Sequence, residues 1–195
     1  MGRPTLLTLA ALLVVFTLQT LGGTLGVGAG AFALALPFVE RPWTVVTSVY
    51  AHDGLAHLLA NAVALAVVGP PVARVTTPIR FHVFFAGSGS VAGIAQVLLT
   101  APFGSTAVLG ASGAIFALLG YALAGNRVSA AVLARLPVGR RGRLALFGVI
   151  AAGLTLATAT PGVALIAHFV GFSIGAAAGR GRILHVSRGR PEPRR

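Results

Sequence analysis

The chain has 195 residues, 56% of them hydrophobic and 9% charged, with a formal net charge of +12. A water-soluble domain carries about 25% charged residues to solvate its surface, so a soluble enzyme and a disordered segment are both excluded. All fifteen basic residues are arginines, set against Glu40, Asp53 and Glu192 alone. They gather between apolar runs or at the chain ends, with no stripe of interleaved aromatics. That placement excludes a nucleic-acid surface and fits a membrane protein with cationic loops. The absence of cysteine removes disulfides and cysteine-ligated zinc from consideration.

A membrane-spanning helix needs about 20 mostly apolar residues. Thr5 to Leu21 is predicted as the first span, retained rather than removed as a leader. Gly22 to Trp43 is glycine-rich and broken, and reads as a loop dipping into the interface. A second span is expected from about His52 to Val68, closed by Gly69-Pro70-Pro71. The uncharged stretch from His82 to Asn126 is long enough for two crossings, with Ala101-Pro102-Phe103-Gly104 as the turn. Five arginines crowd the linker from Arg127 to Arg143. Leu144 to Gly179 then supplies two more crossings about a turn at Thr158-Ala-Thr-Pro161-Gly162. The expected architecture is an all-α membrane protein with six transmembrane helices over residues 1–180 and a basic tail over 181–195, near anionic lipid head groups. With both termini cytoplasmic, fourteen of the fifteen arginines lie inside and only Arg41 outside, as the positive-inside rule demands.

Polar residues within such spans are costly and point to a functional site. His57 and Asn61 fall in the second span, Ser112 opens the fourth and His168 lies in the sixth. All three spans begin at the outer face in this topology, so the four groups reach a similar depth. His57 and Asn61, four residues apart, share a helix face. Acyl transfer is the chemistry that uses such a set: a hydroxyl nucleophile, a neutral imidazole to take its proton, and donors aimed at a developing oxyanion. Ser112 and His168 are the candidate pair. Asn61, His57 and the backbone N–H of Ser112, at a helix N-terminus, are the candidate donors. No carboxylate is placed to complete a triad. Glu40 is in the first outer loop, Glu192 in the tail, and Asp53 at the rim of the second span. Packing is therefore expected to orient the histidine, with Phe116, one turn from Ser112, available to support its ring. Gly171, Gly175 and Gly179 on one helix, against Gly113, Ala117, Gly120 and Ala124 on the other, form the small faces that let two backbones approach in lipid.

These residues fall in three motifs: His52-Asp-Gly-Leu-Ala-His57-Leu-Leu-Ala-Asn61, Gly110-Ala-Ser112-Gly113, and Ala167-His168-Phe-Val-Gly171-Phe-Ser-Ile-Gly175. In their order and helices the chain resembles the rhomboid intramembrane serine proteases. The resemblance implies a six-helix bundle that cleaves peptide bonds in or near transmembrane segments of membrane-protein substrates. By it, Ser112 is the nucleophile, His168 the general base, and His57 and Asn61 the oxyanion site. No metal or cofactor is implied, and a multi-pass location in a prokaryotic plasma membrane is. The chain departs from the family pattern at Thr44 after Trp43, at Ala73-Arg74 and at Phe116. The competing reading is a catalytically inactive relative that binds membrane-protein clients. A transporter fits less well, because the inner halves of the spans lack polar lining.

Overall fold

The computed structural model describes residues 2–104, 107–126, 139–159 and 163–186, together with positions 131 and 135. Seven α-helices lie within those residues: α1 (Arg3–Thr24), α2 (Thr44–Thr47), α3 (Leu55–Ala73), α4 (Pro78–Thr100), α5 (Ser112–Gly125), α6 (Arg140–Ala157) and α7 (Leu165–Arg180). Three of these helices, α1, α3 and α4 (the last with its short continuation to Phe103), are long and apolar enough to cross a membrane, and α5 and α7 are shorter apolar helices. Most of the arginine-rich linker at 127–138, part of the turn at 160–162 and the tail from 187 onward lie outside the described residues.

Local chemistry explains where the helices start. Pro4 and Pro78 occupy first-turn positions of α1 and α4, where a missing N–H costs nothing. Thr77 caps α4 by accepting from Arg80 N at 3.3 Å. The second span differs from expectation at both ends. It begins at Leu55 rather than His52, because Gly54 is its N-cap, and it runs through Pro70 and Pro71 to Ala73. Each proline removes an N–H from the ladder and crowds the carbonyl four residues earlier, yet the Pro70 carbonyl still accepts from Arg74 N at 3.2 Å. Val72, just beyond, is buried and holds the last turn against the core.

The bundle is apolar on its outside as well as in its interior. On α3, Leu55, Leu59, Val63 and Val67 are exposed in one i+4 stripe, while Leu58, Asn61, Leu65 and Val72 are buried on the other side. An apolar stripe left outside is what a lipid-facing helix presents. The larger core runs from Leu12 through Leu65, Phe81 and Phe85 to Leu118 and Tyr121. A smaller one joins α5, α6 and α7 through Phe147, Ala151, Phe172 and Ala176.

Among the described residues, helices α5 and α7 make the most extensive contact. A Cβ on Gly171, Gly175 or Gly120 would strike the backbone carbonyl of Gly113, Ala117 or Phe172 respectively. The small faces read from the sequence are therefore the contact surface itself, and they bring the start of α5 against the start of α7.

The segment before α3 is a pinned loop. Apart from a helical turn at Ala29–Ala31 and the four-residue α2 it is irregular, and Leu34 and Val108 exchange two backbone hydrogen bonds (2.8 and 2.9 Å) that tie it to the chain ahead of α5. The Arg41 guanidinium donates to Gly30 O, and Trp43 Nε1 donates to Ala31 O at 2.9 Å. Thr44, one of the departures from the family pattern, is buried and donates its hydroxyl to Arg41 O at 2.6 Å. The loop's irregular backbone is thus satisfied by its own side chains and by the strand-like pairing just ahead of α5.

Candidate active site

A cavity of about 650 Å³ opens between the pinned loop, α3, α5 and the start of α7, and its wall includes His57, Asn61, Ser112, Phe116, Thr158 and His168. The four residues singled out from the sequence therefore all line one cavity, although no hydrogen bond joins Ser112 to His168.

Ser112 is the first residue of α5, and no side chain caps that helix. Its first-turn N–H groups, which have no intrahelical partner, are left for another acceptor. Among the described residues the Ser112 hydroxyl makes no hydrogen bond. Gly110, just ahead, sits at φ +125°, a backbone region that suits glycine. Its N–H donates to Ser48 O at 2.8 Å. A Cβ there would also lie 2.9 Å from His57 Nε2, so the glycine lets the imidazole edge approach the backbone two residues before Ser112.

His168 is 5% exposed. Its ring stacks on Phe116 with centroids 4.3 Å apart and planes at 14°. Phe116 is one helical turn after Ser112, so the stack sets the imidazole over the same face of α5 that carries the hydroxyl. The reading of Phe116 as a support for the ring corresponds to a real contact, made because the glycine faces let α5 and α7 close up. The ring's Nδ1 lies 3.0 Å from Thr158 Oγ1.

On α3, Asn61 is buried and donates from Nδ2 to His57 O at 3.0 Å, leaving its second amide proton unassigned. His57 presents Nδ1 to Asp53 Oδ1 at 2.6 Å, the two side chains being 32% and 71% exposed. Asp53 stays exposed at the rim, as expected, and completes no triad with His168; the carboxylate pairs instead with His57, a contact the sequence reading did not assign. The i, i+4 spacing was the signal for it. With Nδ1 held by Asp53, the other nitrogen of His57 is turned toward Gly110. His52 packs edge-on against His57, with centroids 5.0 Å apart, and its Nδ1 lies 3.1 Å from Tyr50 O. Burial in the loop ahead of α3 pushes the His52 pKa down to about 4, with the neighbouring His57 adding to the effect. His52 is accordingly a neutral ring at neutral pH, donating through Nδ1.

One polar residue in this neighbourhood was not singled out from the sequence. Gln96, buried in α4, accepts the backbone N–H of Ala167 at 3.1 Å. That N–H is an orphan of the first turn of α7, immediately before His168. A lone amide within an otherwise apolar span was the available clue. Gln96→Leu would leave the Ala167 N–H buried without a partner, at a cost of about 1–3 kcal/mol. A lowered thermal unfolding midpoint in detergent is the expected result, and an unchanged midpoint would show the bond to be dispensable.

Residues 39–184 match the family model described as the Rhomboid domain. The chain belongs to the rhomboid family. The rhomboid protein YdcA of Bacillus subtilis (strain 168) is 37% identical over 78 residues, covering 40% of this chain and 38% of that protein. The rhomboid protease GluP of the same organism is 34% identical over 126 residues, covering 61% of this chain and 24% of that protein. The matched stretches thus span less than two fifths of either relative's own length. Membership in the rhomboid family and the exposed apolar stripes agree that this is a multi-pass membrane protein. Within the described residues, no group of three or more His, Cys, Asp or Glu side chains is arranged to hold a metal ion.

Proposed function

We propose that this rhomboid-family chain is an intramembrane serine endopeptidase that hydrolyses peptide bonds in or near transmembrane segments of membrane-protein substrates. In this reading His168 Nε2 takes the proton of Ser112 Oγ as the oxygen attacks the scissile carbonyl. The oxyanion is met by the backbone N–H of Ser112, the Asn61 amide and the His57 ring. His168 then hands its proton to the departing amine, leaving an acyl group on Ser112. Water, deprotonated by the same imidazole, releases the acyl group.

The observation that carries the reading is the shared cavity, with the His168 ring stacked 4.3 Å above Phe116, one turn from Ser112. Helix length supports the depth of the site. The 14 residues of α5 span about 21 Å at 1.5 Å per residue, against a hydrocarbon core of about 30 Å. The far end, Gly125, packs on Gly179, next to the cationic Arg180. With that end at one membrane face, Ser112 lies roughly 9 Å below the other. Six spans with both termini cytoplasmic complete the proposal, because that orientation puts fourteen arginines inside. We assign residues 1–180 to the membrane domain and 181–195 to a basic tail whose arginines suit anionic head groups; its first residues fold back on the bundle, with Leu184 buried and Val186 N donating to Val75 O at 3.1 Å.

The test is cleavage of a reporter carrying a transmembrane segment, by the wild-type chain, Ser112→Ala and His168→Ala, alongside labelling with a serine-reactive phosphonate. The proposal expects cleavage and labelling by the wild type alone. Equal cleavage by all three removes Ser112 and His168 from the mechanism, whereas no cleavage and no labelling by a folded wild type points to a client-binding relative without activity.

A further inference from the structure

We propose that Thr158 is a positioning residue that holds the His168 imidazole in the tautomer and ring orientation needed of a base; the inference rests on the Ser112–His168 reading above. Thr158 lies just past the end of α6, on a different helix from the histidine. Its Oγ1 is 2.8 Å from Thr155 O and 3.0 Å from His168 Nδ1.

The surroundings of the hydroxyl give the direction taken here. A threonine hydroxyl has one proton and two lone pairs. Two carbonyl oxygens of α6 face it, Thr155 O at 2.8 Å and Leu154 O at 3.4 Å, and in this proposal the proton goes to the nearer one. A lone pair of Oγ1 then faces the ring, and Nδ1 donates to it. A neutral imidazole carries one N–H, so Nε2 is left bare, which is the state a base requires. Among the described residues Nε2 has no hydrogen-bond partner.

Stacking on Phe116 cannot do this alone. A ring held by one face can turn by 180° about its Cβ–Cγ bond, which preserves the stack while exchanging the positions of its nitrogens and carbons. The bond to Thr158 removes that freedom, because the flipped ring would put a carbon against Oγ1. The place usually filled by a carboxylate is open to a hydroxyl here. Asp53, the one carboxylate on the cavity wall, is engaged by His57. A neutral partner orients the ring without adding a charge to it. Its loss should therefore cost less than loss of a triad carboxylate, which lowers kcat by about 10⁴-fold. Removing an outer partner of a metal-bound histidine costs about 10–100-fold, and a similar loss is expected here.

The experiment compares wild type, Thr158→Val and Thr158→Ser as full chains in detergent micelles. Valine keeps the shape and removes the hydroxyl, while serine keeps the hydroxyl. Thr158→Val is expected to lower kcat by about 10–100-fold with KM unchanged, and Thr158→Ser to retain most of the wild-type rate. The second readout is ¹⁵N NMR of histidine-labelled protein, with the His168 signals assigned by their loss in His168→Gln. Wild type should show a protonated Nδ1 and a bare Nε2, and Thr158→Val a shift toward the other tautomer. A wild-type ring protonated on Nε2, or a Thr158→Val chain with unchanged kcat and tautomer, overturns the proposal. The wild-type spectrum decides the matter even if the valine chain fails to fold. Should Ser112→Ala cleave as well as wild type, the dyad reading fails instead, and the tautomer measurement separates the two outcomes.

Discussion

Ser112→Ala is expected to abolish cleavage of a transmembrane reporter, and His168→Ala to do the same. Loss of either member of a nucleophile–base pair lowers kcat by about 10⁴- to 10⁶-fold, or about 5–8 kcal/mol of barrier at 1.36 kcal/mol per tenfold. Neither effect should come from unfolding. The Ser112 hydroxyl forms no hydrogen bond among the described residues, and serine to alanine at this helix start removes one unbonded oxygen. The thermal midpoint of Ser112→Ala should match that of the wild type. His168→Ala also deletes the ring stacked on Phe116 and should lose some stability along with activity. The double variant should be no slower than either single one, because the two groups act as a unit. A double variant slower than both by the product of their effects would show that they act independently, and the shared mechanism would go.

The second large effect is expected at the seam between α5 and α7. Gly175→Val should lose both thermal stability and activity, with Gly175→Ala failing in the same direction to a lesser degree. A Cβ on Gly175 falls on the Ala117 carbonyl, and one on Gly171 falls on that of Gly113. These are backbone atoms, which cannot swing aside as a flexible side chain does, so the helices must separate. Overpacking a core costs about 1–3 kcal/mol when side chains can adjust, and here the cost should lie at or beyond the top of that range. The rate suffers further, since a displacement of about 1 Å in a reacting pair costs on the order of 100-fold. The measurement is a thermal scan paired with reporter cleavage. Gly175→Val with a wild-type midpoint would mean that the helices tolerate a wider seam than their packing implies.

Much of this molecule is legible in one dimension. The absence of lysine, the fifteen arginines between apolar runs and the four polar residues in three of the spans are facts of the chain alone. Membrane insertion makes such facts informative, because a polar group in lipid is costly enough to need a reason. The glycines at 171, 175 and 179 were legible too, since a four-residue repeat of small side chains defines a helix face wherever the helix lies. The ends of α3 were harder. Whether Pro70 and Pro71 end a helix depends on what the next turn packs against, and buried Val72 is a tertiary fact.

The pairings within the site belong to three dimensions. Asp53 and His57 were both visible, yet the sequence reading set the carboxylate at the rim and assigned it no partner. Gln96 and Ala167 are 71 residues apart, and only the approach of α4 to the start of α7 makes the amide a partner for that N–H. Thr158 read as a turn residue until the end of α6 brought its hydroxyl to 3.0 Å from His168.

Composition and periodicity thus settled the solvent, the helices and the polar residues with no business in lipid, because hydrophobic burial in a membrane is a property of stretches of chain. Which group stands beside a ring nitrogen, and which carbonyl closes an orphan N–H, was decided by the packed bundle. Hydrogen bonds act over about 3 Å, and at that range partners are chosen by how helices touch.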